Sequence, residues 1–79
     1  AQSMARELGP QNIHVAHVII DGGIDTAFIR GIHPDFETAK AADGILSPDA
    51  IALQYVAIHK QHRSAWTHEM DLRPWTESF

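Results

Sequence analysis

Ile13-His14-Val15-Ala16-His17-Val18-Ile19-Ile20-Asp21-Gly22-Gly23 is the stretch on which the fold turns. Its first eight residues are rich in β-branched side chains and apolar on both alternating faces, which is the pattern of a strand covered on both sides, as in a parallel sheet. Asp21-Gly22-Gly23 then breaks the pattern, and glycine permits backbone conformations or close approaches that a Cβ would block. A ligand loop at the carboxyl end of a parallel strand is one use for such a break.

Upstream, Ala1, Met4, Ala5 and Leu8 follow the i, i+3, i+4, i+7 spacing of an amphipathic helix with no capping residue before them. The spacing predicts the last two turns of a longer helix, the alternative being a complete mature chain with a frayed first turn. Gly9 is expected to take the left-handed C-cap conformation, and Pro10 to stop the helix. Downstream, Thr26 to Arg30 reads as a short helix, and Gly31, Pro34 and Gly44 divide the stretch to Leu46 into brief helical turns and loop. Ser47-Pro48-Asp49 is a helix start with a hydroxyl N-cap, proline at N1 and an acid in the first turn. That helix is expected to run to about Gln61. Ile51, Tyr55 and Ile58 form its apolar stripe with Val56 on the flank, and His59, Lys60, His62 and Arg63 gather at its negative end. Ser64 to Leu72 reads as a second strand, closed by Arg73-Pro74-Trp75. Two strands joined through a helix imply a parallel βαβ unit, and so an α/β fold.

Seventy-nine residues allow one small domain with a thin core. With 44% apolar and 20% charged residues the chain is expected to pack. Six basic residues against ten acidic give a net charge of −4, and the basic ones are scattered, which argues against nucleic acid as a partner. The absence of cysteine removes disulfides, thiolate zinc sites and cysteine nucleophiles. Val15 to Ile20, the longest apolar run, is interrupted by His17 and too short to cross a bilayer. Nothing reads as a signal peptide, so no membrane partner is expected and a cytoplasmic location is. Six histidines raise the question of a metal. His14 and His17, three apart on a strand, point to opposite faces. His59 and His62 share a helical face without a carboxylate at i+4, and no metal site is expected. His17, among apolar neighbours, reads as a hydrogen-bonded core residue, while His33 and His68 have no identifiable partner in sequence.

Met4-Ala5-Arg6-Glu7-Leu8-Gly9-Pro10, the strand Ile13 to Ile20 and Asp21-Gly22-Gly23-Ile24-Asp25-Thr26 together resemble the C-terminal third of a short-chain dehydrogenase/reductase, over essentially the whole chain. In that family a helix ending in an Arg-Glu-Leu-Gly-like segment begins near a Tyr-x-x-x-Lys motif, and the next strand ends in Pro-Gly-x-Val/Ile-x-Thr. Gly22, Ile24 and Thr26 match the second motif. Asp21 replaces its proline, and Ala16-His17 stand where many members have Asn-Ala. The ending Ser64 to Trp75 is similar to one subgroup of bacterial members.

The resemblance implies a doubly wound, Rossmann-type parallel sheet of which this chain is the C-terminal part, in an NAD- or NADP-dependent oxidoreductase of a small alcohol or carbonyl compound. The phosphate turn and the catalytic Ser, Tyr and Lys are expected upstream, so no catalytic residue falls within the chain. Alone it is expected to be inactive and to bind no cofactor. The family places the backbone at Ile24 against the nicotinamide carboxamide, and the Thr26 hydroxyl against the carboxamide or pyrophosphate, in one loop with Gly22. Taken by itself, the loop also suits an ordinary strand-to-helix connection with Asp25 or Thr26 as N-cap. Asp21 adds a carboxylate near the anionic cofactor, either to bond backbone N–H groups of the turn or to orient substrate. Phe28, Ile29, Ile32 and Phe36 fall where the family closes over substrate, with simple packing on the sheet as the equal alternative. Trp66, Trp75 and Phe79 read as strand and tail packing in a region that also makes subunit contacts, and a homo-oligomer is expected. The rival readings are a free-standing, non-enzymatic α/β interaction module and, behind it, a metal-binding histidine domain.

Overall fold

Strands β1 (His17–Ile20) and β2 (Glu69–Leu72) pair in parallel in the computed structural model, which describes residues 2–77. The register sets His17 opposite Glu69 and Ile20 opposite Leu72. Helix α1 (Gln2–Leu8) precedes the first strand, and α2 (Ala27–Ile32), α3 (Phe36–Ala41) and α4 (Pro48–His59) lie between the strands. The expected βαβ order is therefore present, as a mixed helix and strand fold with a small two-strand parallel sheet. These two strands do not show a doubly wound sheet. One face of the ladder carries Val18, Ile20, Met70 and Leu72, while Glu69 and Asp71 put exposed charges on the other. No helix among the described residues is long and apolar enough to cross a membrane.

Both strands are shorter than the sequence pattern predicts, and side chains account for the difference. Before β1, Gly9–Gln11 forms a 3₁₀ turn that accommodates Pro10 at its start, and Asn12 rather than Gly9 takes the left-handed conformation, at φ 66°. Residues 13–16 then run outside the ladder, with the His14 ring stacked on Trp66 at 4.6 Å. Before β2, Arg63–Ala65 forms a second 3₁₀ turn, capped when the Ser64 N–H donates to His62 Nδ1. The Gln61 side chain brackets Thr67, accepting from its N–H at 2.7 Å and donating to its hydroxyl at 2.6 Å. That backbone donor is thus satisfied outside the sheet, and pairing begins with the His17 N–H donating to His68 O.

Helix α4 begins as its sequence predicts, with the Ser47 hydroxyl accepting from the Ala50 N–H. It ends at His59 rather than Gln61, so His62 lies beyond the helix and shares no helical face with His59. The expected apolar stripe is only partly used: Ile58 is buried and Ile51 half-buried, whereas Tyr55, Val56 and the neighbouring Leu53 are exposed. His17 is also exposed rather than in the core, with its ring 3.5 Å from the Glu69 carboxylate across the ladder.

The buried apolar residues Phe36, Ile45 and Ile58 come from three different segments, beside a buried Pro74. The radius of gyration is 15.5 Å, against about 12 Å for a compact domain of this length. The chain thus forms an open arrangement in which few apolar side chains among the described residues are buried.

Gly22 sits where β1 ends, at φ 144°, and a Cβ there would lie 2.9 Å from Pro74 Cδ. Both backbone and space demand glycine. Gly22→Ala is expected to destabilise the fold by roughly 1–3 kcal/mol, read as a lower denaturant midpoint; an unchanged midpoint would show that the turn relaxes freely.

Candidate functional site

The loop that follows β1 is held from two sides by backbone hydrogen bonds. The Asp21 N–H donates to Leu72 O at 2.9 Å, extending the ladder, and Gly22 then turns the chain. Beyond the turn Ile24 forms a parallel bridge with Leu46, in which the Leu46 N–H donates to Gly23 O at 2.8 Å and the Asp25 N–H donates to Leu46 O at 2.9 Å. In such a bridge the flanking residues supply the bonds, so the N–H and carbonyl of Ile24 itself point away from Leu46. Thr26 ends the loop in an extended conformation, and its hydroxyl accepts from the Ile29 N–H at 3.2 Å. Of the two N-cap candidates it is Thr26 that caps α2. Gly22, Ile24 and Thr26 are thereby brought onto one short, fixed loop at the carboxyl end of β1.

Two ionic groups fix the ends of this loop. Asp21 reaches Arg73, with Nη1 at 3.2 Å, and the same guanidinium grips Asp71 through Nε and Nη2 at 3.2 and 2.5 Å. This partner holds the Asp71 carboxyl below its usual range, and Asp71 in turn raises the guanidinium above its own. Asp25 meets Lys40 Nζ at 2.9 Å and Arg30 Nη2 at 3.1 Å, which ties the loop to both α2 and α3. Hydrogen bonds from Lys40 first and Arg30 second hold the Asp25 carboxyl below the ordinary aspartate range. Arg30 also lies over the Phe36 ring, 5.3 Å from its centre, and the His33 ring approaches that ring edge-on.

The four apolar residues expected on the substrate side divide into two pairs. Phe36 is buried, and Ile29 packs against Gly23, where a Cβ would stand 3.2 Å from Ile29 Cγ2. Phe28 and Ile32, one turn apart on α2, face outward at 72% and 61% exposure. Ile24, with Pro48, Ile51, Ala52 and Tyr55, lines an apolar groove of about 460 Å³ along α4. Trp75 is exposed but anchored through its ring N–H, which donates to Ala42 O at 2.8 Å. Phe79 lies outside the described residues.

The histidines remain dispersed: His33 Nδ1 lies 2.6 Å from Pro34 O and His14 Nε2 lies 2.8 Å from Thr67 O. Among the described residues no three His, Asp or Glu side chains are arranged to hold a metal ion. Arg73, Lys40 and Arg30 are the residues around the loop that sequence reasoning missed. For Arg73 a signal existed: once the strands pair with Ile20 opposite Leu72, the next positions are Asp21 and Arg73, of opposite charge. Lys40 reaches Asp25 only through the path of the α2–α3 connection, which carries no such signal. Comparison of the chain with protein-family models, with curated proteins and with solved structures gives no match.

A carboxyl whose pKa is depressed on folding stabilises the fold above its unfolded pKa, and that contribution is lost as pH falls through the folded value. Denaturant midpoints compared at neutral pH and below about pH 4 are therefore expected to fall further for the wild type than for Asp25→Asn. The substitution removes part of the stability already at neutral pH, and an equal acid loss in both proteins would show the Asp25 pairs to be inconsequential.

Proposed function

We propose that this chain is the C-terminal part of an NAD(P)-dependent short-chain dehydrogenase/reductase acting on a small alcohol or carbonyl compound. In that enzyme it holds the nicotinamide end of the cofactor and closes the substrate side. The observation that carries this reading is the loop Gly22–Thr26, where the backbone of Ile24 is turned away from its bridge to Leu46. An amide carried in that way is available to a carboxamide. Thr26 fits as well, because its oxygen accepts the cap bond and its hydroxyl hydrogen remains to donate. Asp21 shares the Arg73 guanidinium with Asp71, so its carboxylate is held in place and its charge partly offset. The cofactor, when bound, gives or takes a hydride, while the Tyr and Lys that manage the proton belong to the upstream part of the enzyme. Phe28 and Ile32 supply an outward apolar strip on the helix that follows the loop.

The rest of the enzyme also accounts for what is left uncovered. In a complete doubly wound sheet a further strand pairs with β1 and helices cover both faces. Such an assembly gives cover to Leu53, Tyr55 and Val56 on α4. A free-standing interaction module, the other reading, calls for a chain that closes its own core, and the few buried apolar side chains among the described residues, with the large radius of gyration, favour the parent enzyme.

Calorimetric titration of the full-length protein is expected to show binding of NADH or NADPH, and binding of neither would overturn the reading. Thr26→Val in that protein is expected to weaken binding by roughly 0.5–1.5 kcal/mol, the worth of one hydroxyl hydrogen bond. Unchanged affinity would assign Thr26 to capping alone.

The exposed apolar residues and the open edge of β1 also give the 79-residue chain a surface that recruits another copy. Light scattering over a dilution series is expected to show oligomers. A clean 8.8 kDa monomer at high micromolar concentration, with cooperative thermal unfolding, would reverse the preference between the two readings.

A further inference from the structure

The four residues after β2 back onto the candidate loop and onto the end of α3, one contact after another. Arg73 bonds Asp21, and Pro74 is packed so closely on Gly22 that a Cβ there would stand 2.9 Å from its ring. The Trp75 ring N–H donates to Ala42 O, and a Cβ on Gly44 would meet Thr76 Oγ1 at 3.1 Å. Arg73 has only 17% of its side chain exposed, and Pro74 is buried. This segment therefore forms a strap behind both the turn that launches the loop and the loop that leaves α3.

We propose that Arg73 is a positioning residue: through Asp21, and with Pro74 behind Gly22, it sets where the backbone of Ile24 and the hydroxyl of Thr26 stand, and so tunes recognition of the nicotinamide half of the cofactor. The inference rests on the functional reading above and adds to it a residue that touches neither cofactor nor substrate. Its logic is local. Asp21 is the residue at which β1 gives way to the loop, its N–H bonded to Leu72 O and its carboxylate to Arg73, so the charge pair restrains the point from which the loop starts. Because the guanidinium is gripped by Asp71 on the neighbouring strand, the restraint is referred to the sheet rather than to a mobile side chain. The effect is confined to the nicotinamide side, since Asp21 and Gly22 of the loop are what Arg73 and Pro74 meet across the end of the ladder.

The test compares two ligands in the full-length protein: the dinucleotide that the wild type binds, NADH or NADPH, and the matching ADP-ribose or 2′-phospho-ADP-ribose, which lacks the nicotinamide. Arg73→Gln is expected to raise the dissociation constant of the dinucleotide about fivefold while leaving that of the truncated ligand within about twofold, in keeping with one partly exposed charge pair. Asp21→Asn, a milder change at a more exposed position, is expected to give the same loss alone and no further loss on top of Arg73→Gln, because the two residues act as one unit. Equal weakening of both ligands would mean that Arg73 supports the whole fold and not the loop, which overturns the proposal. Unchanged dinucleotide affinity in both single variants overturns it too. A wild-type protein that binds neither ligand removes the functional reading itself, a failure visible before any variant is made.

Discussion

The backbone bonds His17 N–H to His68 O and Asp21 N–H to Leu72 O bracket a four-residue parallel ladder, and the register between them determines what else in the molecule meets. Parallel pairing sets like ends side by side, so the chain leaves both strands at the same edge of the sheet. There the Asp21 carboxylate stands opposite the Arg73 guanidinium and Gly22 against Pro74. A shift of one residue would exchange the two faces of either strand, carrying Glu69 and Asp71 to the side now occupied by Val18 and Ile20. The apolar side of the ladder thus fixes the register, and the register builds the loop.

Charge is arranged around that loop so that neither of its carboxylates stands alone. Asp21 shares Arg73 with Asp71, and Asp25 draws on Lys40 and Arg30 together. These pairs are partly exposed, so their value lies less in net stability than in fixing geometry. They hold the two ends of the segment Asp21–Asp25, while Leu46 bonds its middle.

Legibility in the sequence followed the range of the interactions involved. Ser47-Pro48 announced the start of α4, Thr26 the start of α2, and the β-branched run a strand, because caps and alternation act within a few residues. The strand limits were not legible. They depend on Gln61 capturing Thr67 and on the His14–Trp66 stack, contacts between side chains whose mutual approach only the fold creates. His17 misled for a related reason: apolar neighbours in sequence say nothing of a glutamate that the opposite strand brings alongside. Of the candidate loop, the break after the strand was visible in Asp21-Gly22-Gly23, and Thr26 as one of two capping residues. The Asp25–Lys40 tie was not, since no local pattern records how a helix returns to the loop before it.

The ladder also has a kinetic meaning. It joins His17 to Glu69, positions separated by most of the chain, with three helices strung between them. Closing so long a loop costs entropy before any pairing rewards it, whereas α4 and the capped turn of α2 form from near neighbours. On entropy alone, structure is expected to accumulate in the connection first and the two strands to meet once α2 to α4 have shortened the distance between them. Substitutions in the ladder or the strap then act on the rate at which the sheet comes apart, while those in the Ser47 cap bear on the rate at which it is reached. In that order, the contact expected to form last is the one that gives the loop its shape.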